Sequence, residues 1–167
     1  LLPKDVLFIS HLLNKSQIEN QADSYYSDLP LKLNDGGYLS LVALLNHTKK
    51  KSLHYLEKQK NQEMYRVVLP QNLGFLNELK NLILLFEESR TLRKLAKSEK
   101  HKLNKKILFQ AAIYALSPGS LSSMRLATQI GALVKKTKTK VLIATHEGHS
   151  WERLVFYFAR QAKPSII

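Results

Sequence analysis

Short apolar runs alternate with helical stretches along this chain, and that alternation limits its fold more than any other feature. Asp5-Val-Leu-Phe-Ile-Ser-His11, Tyr38 to His47, Met64 to Pro70 and Val141 to Ala144 are compact and rich in β-favouring side chains. Each reads as a buried strand. Leu and Ala in Tyr38 to His47 also favour a helix, but the Gly36-Gly37 stop before it and Asn46-His47-Thr48 after it favour a strand. Ile18, Ala22, Tyr25, Tyr26, Leu29 and Leu33 form a helical stripe that Pro30 ends or kinks near Asp28. Asn14 to Asn20 reads as a loop, and Asp35-Gly36-Gly37 as a helix stop. Lys49 to Gln62 is highly charged, with a short helix expected over 52–60.

Leu73 to Lys97 predicts a long helix, with Leu76, Leu79, Ile83, Phe86 and Arg90 recurring at helical spacing. Lys102 to Leu116 predicts a second. Ser117-Pro118-Gly119-Ser120 breaks the chain before a third, Leu121 to Lys136, whose Met124, Ala127, Ile130, Gly131 and Val134 share one face. Trp151 to Ala162 predicts the last helix, with Ser150 as its N-cap, and Ser165 to Ile167 starts another strand. Strands that alternate with helices predict an α/β fold: a Rossmann-like, mostly parallel sheet of four to five strands flanked by helices. The 167 residues suit one domain spanning 1–167.

The chain has no cysteine. That excludes a disulfide framework, Cys-based zinc sites and a thiol nucleophile, and fits a reducing compartment. The longest apolar runs are about 6 residues, too short to span a bilayer. Leu1 to Asp5 does not read as a signal peptide, and the missing initiator Met fits either a trimmed chain or a fragment. The net charge of +13 favours polyanionic partners. It is concentrated in Lys49-Lys50-Lys51, Arg90 to Lys106 and Lys135 to Lys140. A lysine-rich solvated surface would account for it equally well. Arg90 to Lys106 carries eight Lys or Arg against Glu99 alone, which suits an anionic membrane surface. It has no interleaved aromatic ring for base stacking, which argues against nucleic acid.

Chemistry concentrates after Ala144, in Thr145-His146-Glu147-Gly148-His149-Ser150-Trp151-Glu152-Arg153-Leu154. A strand end next to a helix start is where open α/β sheets bind ligands. Glu147 is the leading catalytic candidate: a carboxylate there can take a proton from a hydroxyl, or simply brace the helix start. His146 and His149 flank it, and Gly148 lets a substrate approach the backbone. His11, Asn46 and His47 fall at strand ends on the same expected sheet edge. Trp151 reads either as a stacking platform for a sugar or as a core anchor. Arg153 suits a ligand phosphate or a surface pair with Glu147 or Glu152, and Glu152 suits the positive end of the helix dipole. His-Glu-x-His lacks the helical spacing of a zinc motif, so no metal site is assigned. Gly-rich phosphate loops and the Gly-x-Ser-x-Gly elbow are absent.

Three places resemble the N-terminal half of GT-B type glycosyltransferases of bacterial surface-polysaccharide (capsule or O-antigen) assembly. They are Val6 to His11, Tyr25-Tyr26-Ser27-Asp28-Leu29-Pro30 with Leu44 to Thr48, and, most specifically, Thr145 to Leu154. Similar proteins carry Glu-Gly-(His/Gln)-x-Trp-Glu-(Arg/Lys) in that last place. The resemblance implies an acceptor-side domain for inverting, metal-independent sugar transfer. Glu147 would be the general base, and His11, Asn46, His47, His146, Gly148, His149, Trp151 and Arg153 would hold substrate. In sialyltransferase-like members an acidic-acidic-Gly motif supplies the base; His146 occupies the first acidic position here. No cofactor is expected. The partners implied are a nucleotide sugar, a glycan acceptor and a second Rossmann-like domain that follows Ile167 and holds the donor. The expected location is the cytoplasm, peripheral on the inner membrane face.

Overall fold

The computed structural model describes residues 3–13, 17, 23–48 and 65–167. The charged stretch at 49–62, its expected helix at 52–60 and most of the 14–20 loop lie outside the described residues. Four strands form one parallel sheet: β1 (Val6–Leu12), β2 (Ser40–Asn46), β3 (Tyr65–Val68) and β4 (Val141–Ala144), in the order β3-β2-β1-β4. Among the described residues five helices flank it: α1 (Leu29–Asp35), α2 (Phe75–Ser98), α3 (Lys102–Tyr114), α4 (Pro118–Thr137) and α5 (Ser150–Ala162). The fold is therefore the Rossmann-like α/β arrangement that the strand–helix alternation predicts. Beyond β4, Ile167 donates to Lys140 O at 3.0 Å and accepts from Leu142 N at 2.8 Å. These two bonds have the pattern of a parallel ladder, but 164–165 form a turn and the expected strand at Ser165 to Ile167 is not part of the four-stranded sheet.

Strand geometry divides the core in two, because successive side chains point to opposite faces. Leu7, Ile9, Leu41, Ala43 and Leu142 pack against Ala127, Ile130 and Val134 of α4 and Val155 and Ala159 of α5. Val6, Phe8, Val42, Leu44 and Val68 cover the other face, with Tyr26, Leu31 and Leu33 against them. The face of α4 read from the sequence is the buried one: Met124, Ala127, Ile130, Gly131 and Val134 are all buried. At Gly131 α4 packs tightly on α5, since a Cβ built there would stand 3.3 Å from Phe158 O.

Local chemistry corrects several boundaries. Tyr25 and Tyr26 are not helical. Asp23 and Ser27 form a tight bridged turn, and Pro30 sits in the first turn of α1 instead of ending a helix. Proline tolerates that position because its missing N–H would have no partner there. Pro118 opens α4 in the same way, three residues before the expected start, with Ser117 Oγ accepting from Ser120 N. Ser150 is the first residue of α5, and its N-cap is His149, whose side chain makes no capping bond. The stripe of Leu76, Leu79, Ile83 and Phe86 does mark a helix, but it is exposed; α2 buries Asn81, Leu85, Ser89 and Ala96 instead. Among the described residues no helix is long and apolar enough to cross a membrane.

Candidate functional site

The sheet order reverses between β1 and β4, since β2 and β3 extend one way from β1 and β4 lies on its other side. Ligands of open α/β sheets bind outside the carboxyl ends of the strands at such a switch point. The segments leaving β1, β2 and β4 meet there.

His11, in the last turn of β1, is 9% exposed. Its Nδ1 lies 2.8 Å from Nε2 of His47, which follows β2. The two rings stack with centroids 5.0 Å apart, and His11 also meets Tyr25 at 5.2 Å and Trp151 at 6.0 Å. Burial, and then the neighbouring His47, push the His11 imidazole below its ordinary pKa; the Glu147 carboxylate opposes this. One nitrogen of the 2.8 Å contact must donate and the other accept, which requires at least one neutral ring.

Asp23 fixes the segment that runs over this end of the sheet. Its buried carboxylate accepts from Ser10 Oγ at 2.8 Å, Tyr25 N at 2.9 Å and Tyr26 N at 3.1 Å. Such an Asx turn stands at 23–27, where the apolar stripe predicts helix. Tyr26 OH donates to Ile9 O at 3.0 Å. Burial, helped by Asp23, raises the Tyr26 phenol far above its ordinary value, so it acts as a fixed donor.

The loop after β4 is held by a residue that sequence reasoning gave only a dipole role. Glu152 is 2% exposed. Its carboxylate accepts from Glu147 N at 2.8 Å, Gly148 N at 3.2 Å and His146 Nδ1 at 3.0 Å. Burial pushes the Glu152 carboxyl up, and these hydrogen bonds together outweigh it and hold it below the usual range. With His149 as N-cap, Glu152 is the third helical residue, the place from which a capping-box glutamate reaches back to free N–H groups. Spacing from His149 could have revealed it; spacing from Ser150 could not. Gly148 has φ of 80°, a left-handed conformation costly for any side chain.

The clamp leaves the Glu147 side chain free of its own backbone. Its carboxylate is 42% exposed and lies 3.3 Å from His149 Nε2. His146 is directed at Glu152 and is otherwise exposed. Arg153 is exposed and pairs with neither Glu147 nor Glu152. Asn46 Oδ1 accepts from Thr48 N and Thr48 Oγ1, so it shapes the turn after β2. Beside His47 a cavity of about 390 Å³ opens, lined by Asn46, Gln71, Ser122, Arg125 and Gln129 among others. Arg125 is fixed there by Glu78, with bonds of 2.6 and 3.1 Å. The structure thus gathers His11, His47, Glu147, His149 and Trp151 at one edge. It uses Asn46, His146 and Gly148 to shape loops, and leaves Arg153 apart.

Two buried polar atoms of this edge, His11 Nε2 and Thr145 Oγ1, have no hydrogen-bond partner. Buried polar groups are nearly always paired, so each such atom marks a place where a ligand group could bond. Among the described residues no three His, Asp or Glu side chains converge as a metal site would require.

The titration of His11 has a consequence for stability. A ring held below its ordinary value of 6.5 takes up a proton more readily once the chain unfolds. Unfolding is then favoured as pH falls through about 6.5 and below. Urea midpoints from pH 7.5 to 5.5 should therefore decline in the wild type and decline less in His11→Gln. Below the carboxylate range a further loss is expected, as Glu152 and Glu78, both held below 4.5, take up protons. Parallel curves for the two proteins would contradict the neutral His11 assignment.

Comparison of the chain with protein families, with curated proteins and with solved structures finds no match.

Proposed function

We propose that this edge of the sheet binds the acceptor in inverting sugar transfer from a nucleotide sugar to a surface glycan. The observation that carries the reading is the pair of unpartnered buried atoms, His11 Nε2 and Thr145 Oγ1, beside a half-exposed carboxylate and an aromatic ring. Trp151 is partly buried against the core, as the core-anchor reading expects, and the part of its ring left open would pack on the C–H groups of a sugar. Glu147 takes the proton of the acceptor hydroxyl as its oxygen bonds to the anomeric carbon. The bond from that carbon to the departing phosphate breaks, and the phosphate leaves on the opposite face. The 390 Å³ cavity beside His47 falls in the size range of small-ligand pockets and suits the next sugar unit. The donor would be held by a second domain, as in the GT-B glycosyltransferases that Thr145 to Leu154 resembles. The same reading puts the protein in the cytoplasm, on the inner membrane face, through the charges of Arg90 to Lys106.

Glu147→Gln keeps the backbone bond to Glu152 and removes only the basic oxygen. Transfer measured in the complete enzyme is expected to fall about 100-fold or more, the usual contribution of general base catalysis. Activity within a few-fold of wild type would remove Glu147 from that role.

The net charge of +13 supports a second reading, a non-enzymatic basic α/β module that binds nucleic acid. Binding to duplex or single-stranded DNA or RNA should then weaken steeply with salt, because phosphate contacts release counterions. Weak binding at low salt would end that reading.

A further inference from the structure

The α2–α3 hairpin exposes most of its large apolar side chains. Where the two helices meet they use small and polar residues: Ser89 and Ala112 are buried, and Ser89 Oγ donates to Ala112 O at 2.7 Å. Ala96 of α2 is buried as well. Leu85 is buried beside them, but most of the other large apolar side chains are exposed. On α2, Phe75, Leu79, Leu82 and Phe86 follow one another at helical spacing and are 80%, 42%, 46% and 61% exposed. On α3, Phe109 and Ile113 are 45% and 49% exposed.

Each apolar stripe continues, on its own side of its helix, as a basic one. Helical spacing carries the α2 stripe from Phe86 to Arg90, Arg93 and Lys97. On α3 it places Lys102 and Lys106 in line with Phe109 and Ile113. Phe86, Ser89, Arg90 and Arg93 line one groove of about 380 Å³ with Leu116, which follows α3, so the face that α2 presents meets the chain just after α3. That face is apolar near the domain and basic toward the tip. The eight Lys and Arg of Arg90 to Lys106 are exposed, and none is in an ion pair among the described residues.

We infer that this face inserts into the interfacial layer of an anionic bilayer, with its apolar side chains below the headgroups and its basic tip among the phosphates. The inference rests on the membrane part of the proposed function and deepens it: charge alone would give loose attachment, whereas the exposed Phe, Leu and Ile give insertion. A second copy does not fit the face. Packed tip to tip, two such hairpins would bring two clusters of eight basic residues together; packed tip to base, they would set those charges on apolar stripes. Small residues between helices with large apolar ones outside is also how helices pack when their outer surroundings are lipid. A basic amphipathic surface of this kind lies in the interface instead of spanning it.

The test is co-sedimentation of the whole protein with vesicles of phosphatidylglycerol and phosphatidylcholine, and with vesicles of phosphatidylcholine alone. Insertion predicts binding to the anionic vesicles that survives a wash in about 0.5 M salt, where the Debye length is only a few Å. Leu82→Gln/Phe86→Gln/Ile113→Gln, at exposed positions, should lower salt-resistant binding about tenfold or more, since each loses the burial of a large apolar side chain. Arg90→Gln/Arg93→Gln/Lys97→Gln should lower the preference for anionic vesicles. Binding that washes off completely in salt would overturn insertion and leave the electrostatic attachment standing. No binding to anionic vesicles would overturn both, and saturable capture of an acidic protein with no vesicle binding would assign the face to a protein partner instead.

Discussion

If the proposed function holds, Glu152→Ala is expected to lower sugar transfer as much as Glu147→Gln, about 100-fold or more, and also to lower the thermal midpoint, which Glu147→Gln should leave nearly unchanged. The difference follows from what each carboxylate touches. The Glu147 carboxylate is 42% exposed and faces His149 across 3.3 Å. Its loss leaves no buried group unpaired. The Glu152 carboxylate is buried and satisfies Glu147 N, Gly148 N and His146 Nδ1. Without it those N–H groups lose the acceptor that ties the loop to α5, and each lost hydrogen bond costs about 0.5–1.5 kcal/mol. The loop that carries Glu147 then loses its fixed path. Glu152→Gln offers a finer comparison, because its one carbonyl oxygen can accept from some of the three donors but its amide cannot. Intermediate values for both readouts are expected. A Glu152→Ala protein with normal transfer would show that the loop needs no clamp.

The second large effect lies on the opposite face of the sheet. Phe8→Ala is expected to cost about 3–5 kcal/mol, the usual range for emptying an aromatic core site. Phe8 is fully buried in the middle of β1, and its ring lies 4.9 Å from that of Tyr26. A domain of ordinary stability has roughly 5–15 kcal/mol in all, so this one change brings the chain close to unfolding. Tyr26 would also lose its packing neighbour while still bonded to Ile9 O, so the Asp23 to Ser27 turn should loosen with it. Urea denaturation of purified protein measures the loss; a change below about 1 kcal/mol would mean that neighbouring side chains collapse into the space.

The strands were legible in the sequence because a parallel strand covered on both faces needs an unbroken apolar run. Leu7, Phe8, Ile9, Leu41, Val42 and Ala43 are all essentially inaccessible, and no tertiary knowledge was needed to read them. Placing His11 and His47 at one edge followed from the same argument, although their 2.8 Å contact spans 36 residues and no local pattern could give it. Periodicity also located α2, but it could not tell which side faces out. The apolar side was the natural choice for the core, whereas packing against α3 and α4 selected Asn81, Ser89 and Ala96. Pro30 was misread for a related reason: proline both stops a helix and starts one, and only the Asp23 turn decides between them. Glu152 stayed hidden because its partners lie before the helix, and the chain must fold back for the carboxylate to reach them.

The claim on which the functional account depends is that the His11–His47–Trp151 edge receives the acceptor. Trp151 is the chain's single tryptophan, and its ring stands 6.0 Å from that of His11, so its fluorescence reports on this edge alone. Short oligosaccharides of capsule or O-antigen type are to be titrated against wild type and His47→Ala. The account predicts a saturable change in Trp151 emission with an oligosaccharide that the complete enzyme also glycosylates, at concentrations several-fold higher in His47→Ala. An oligosaccharide that is glycosylated but leaves the emission unchanged at saturation would contradict it.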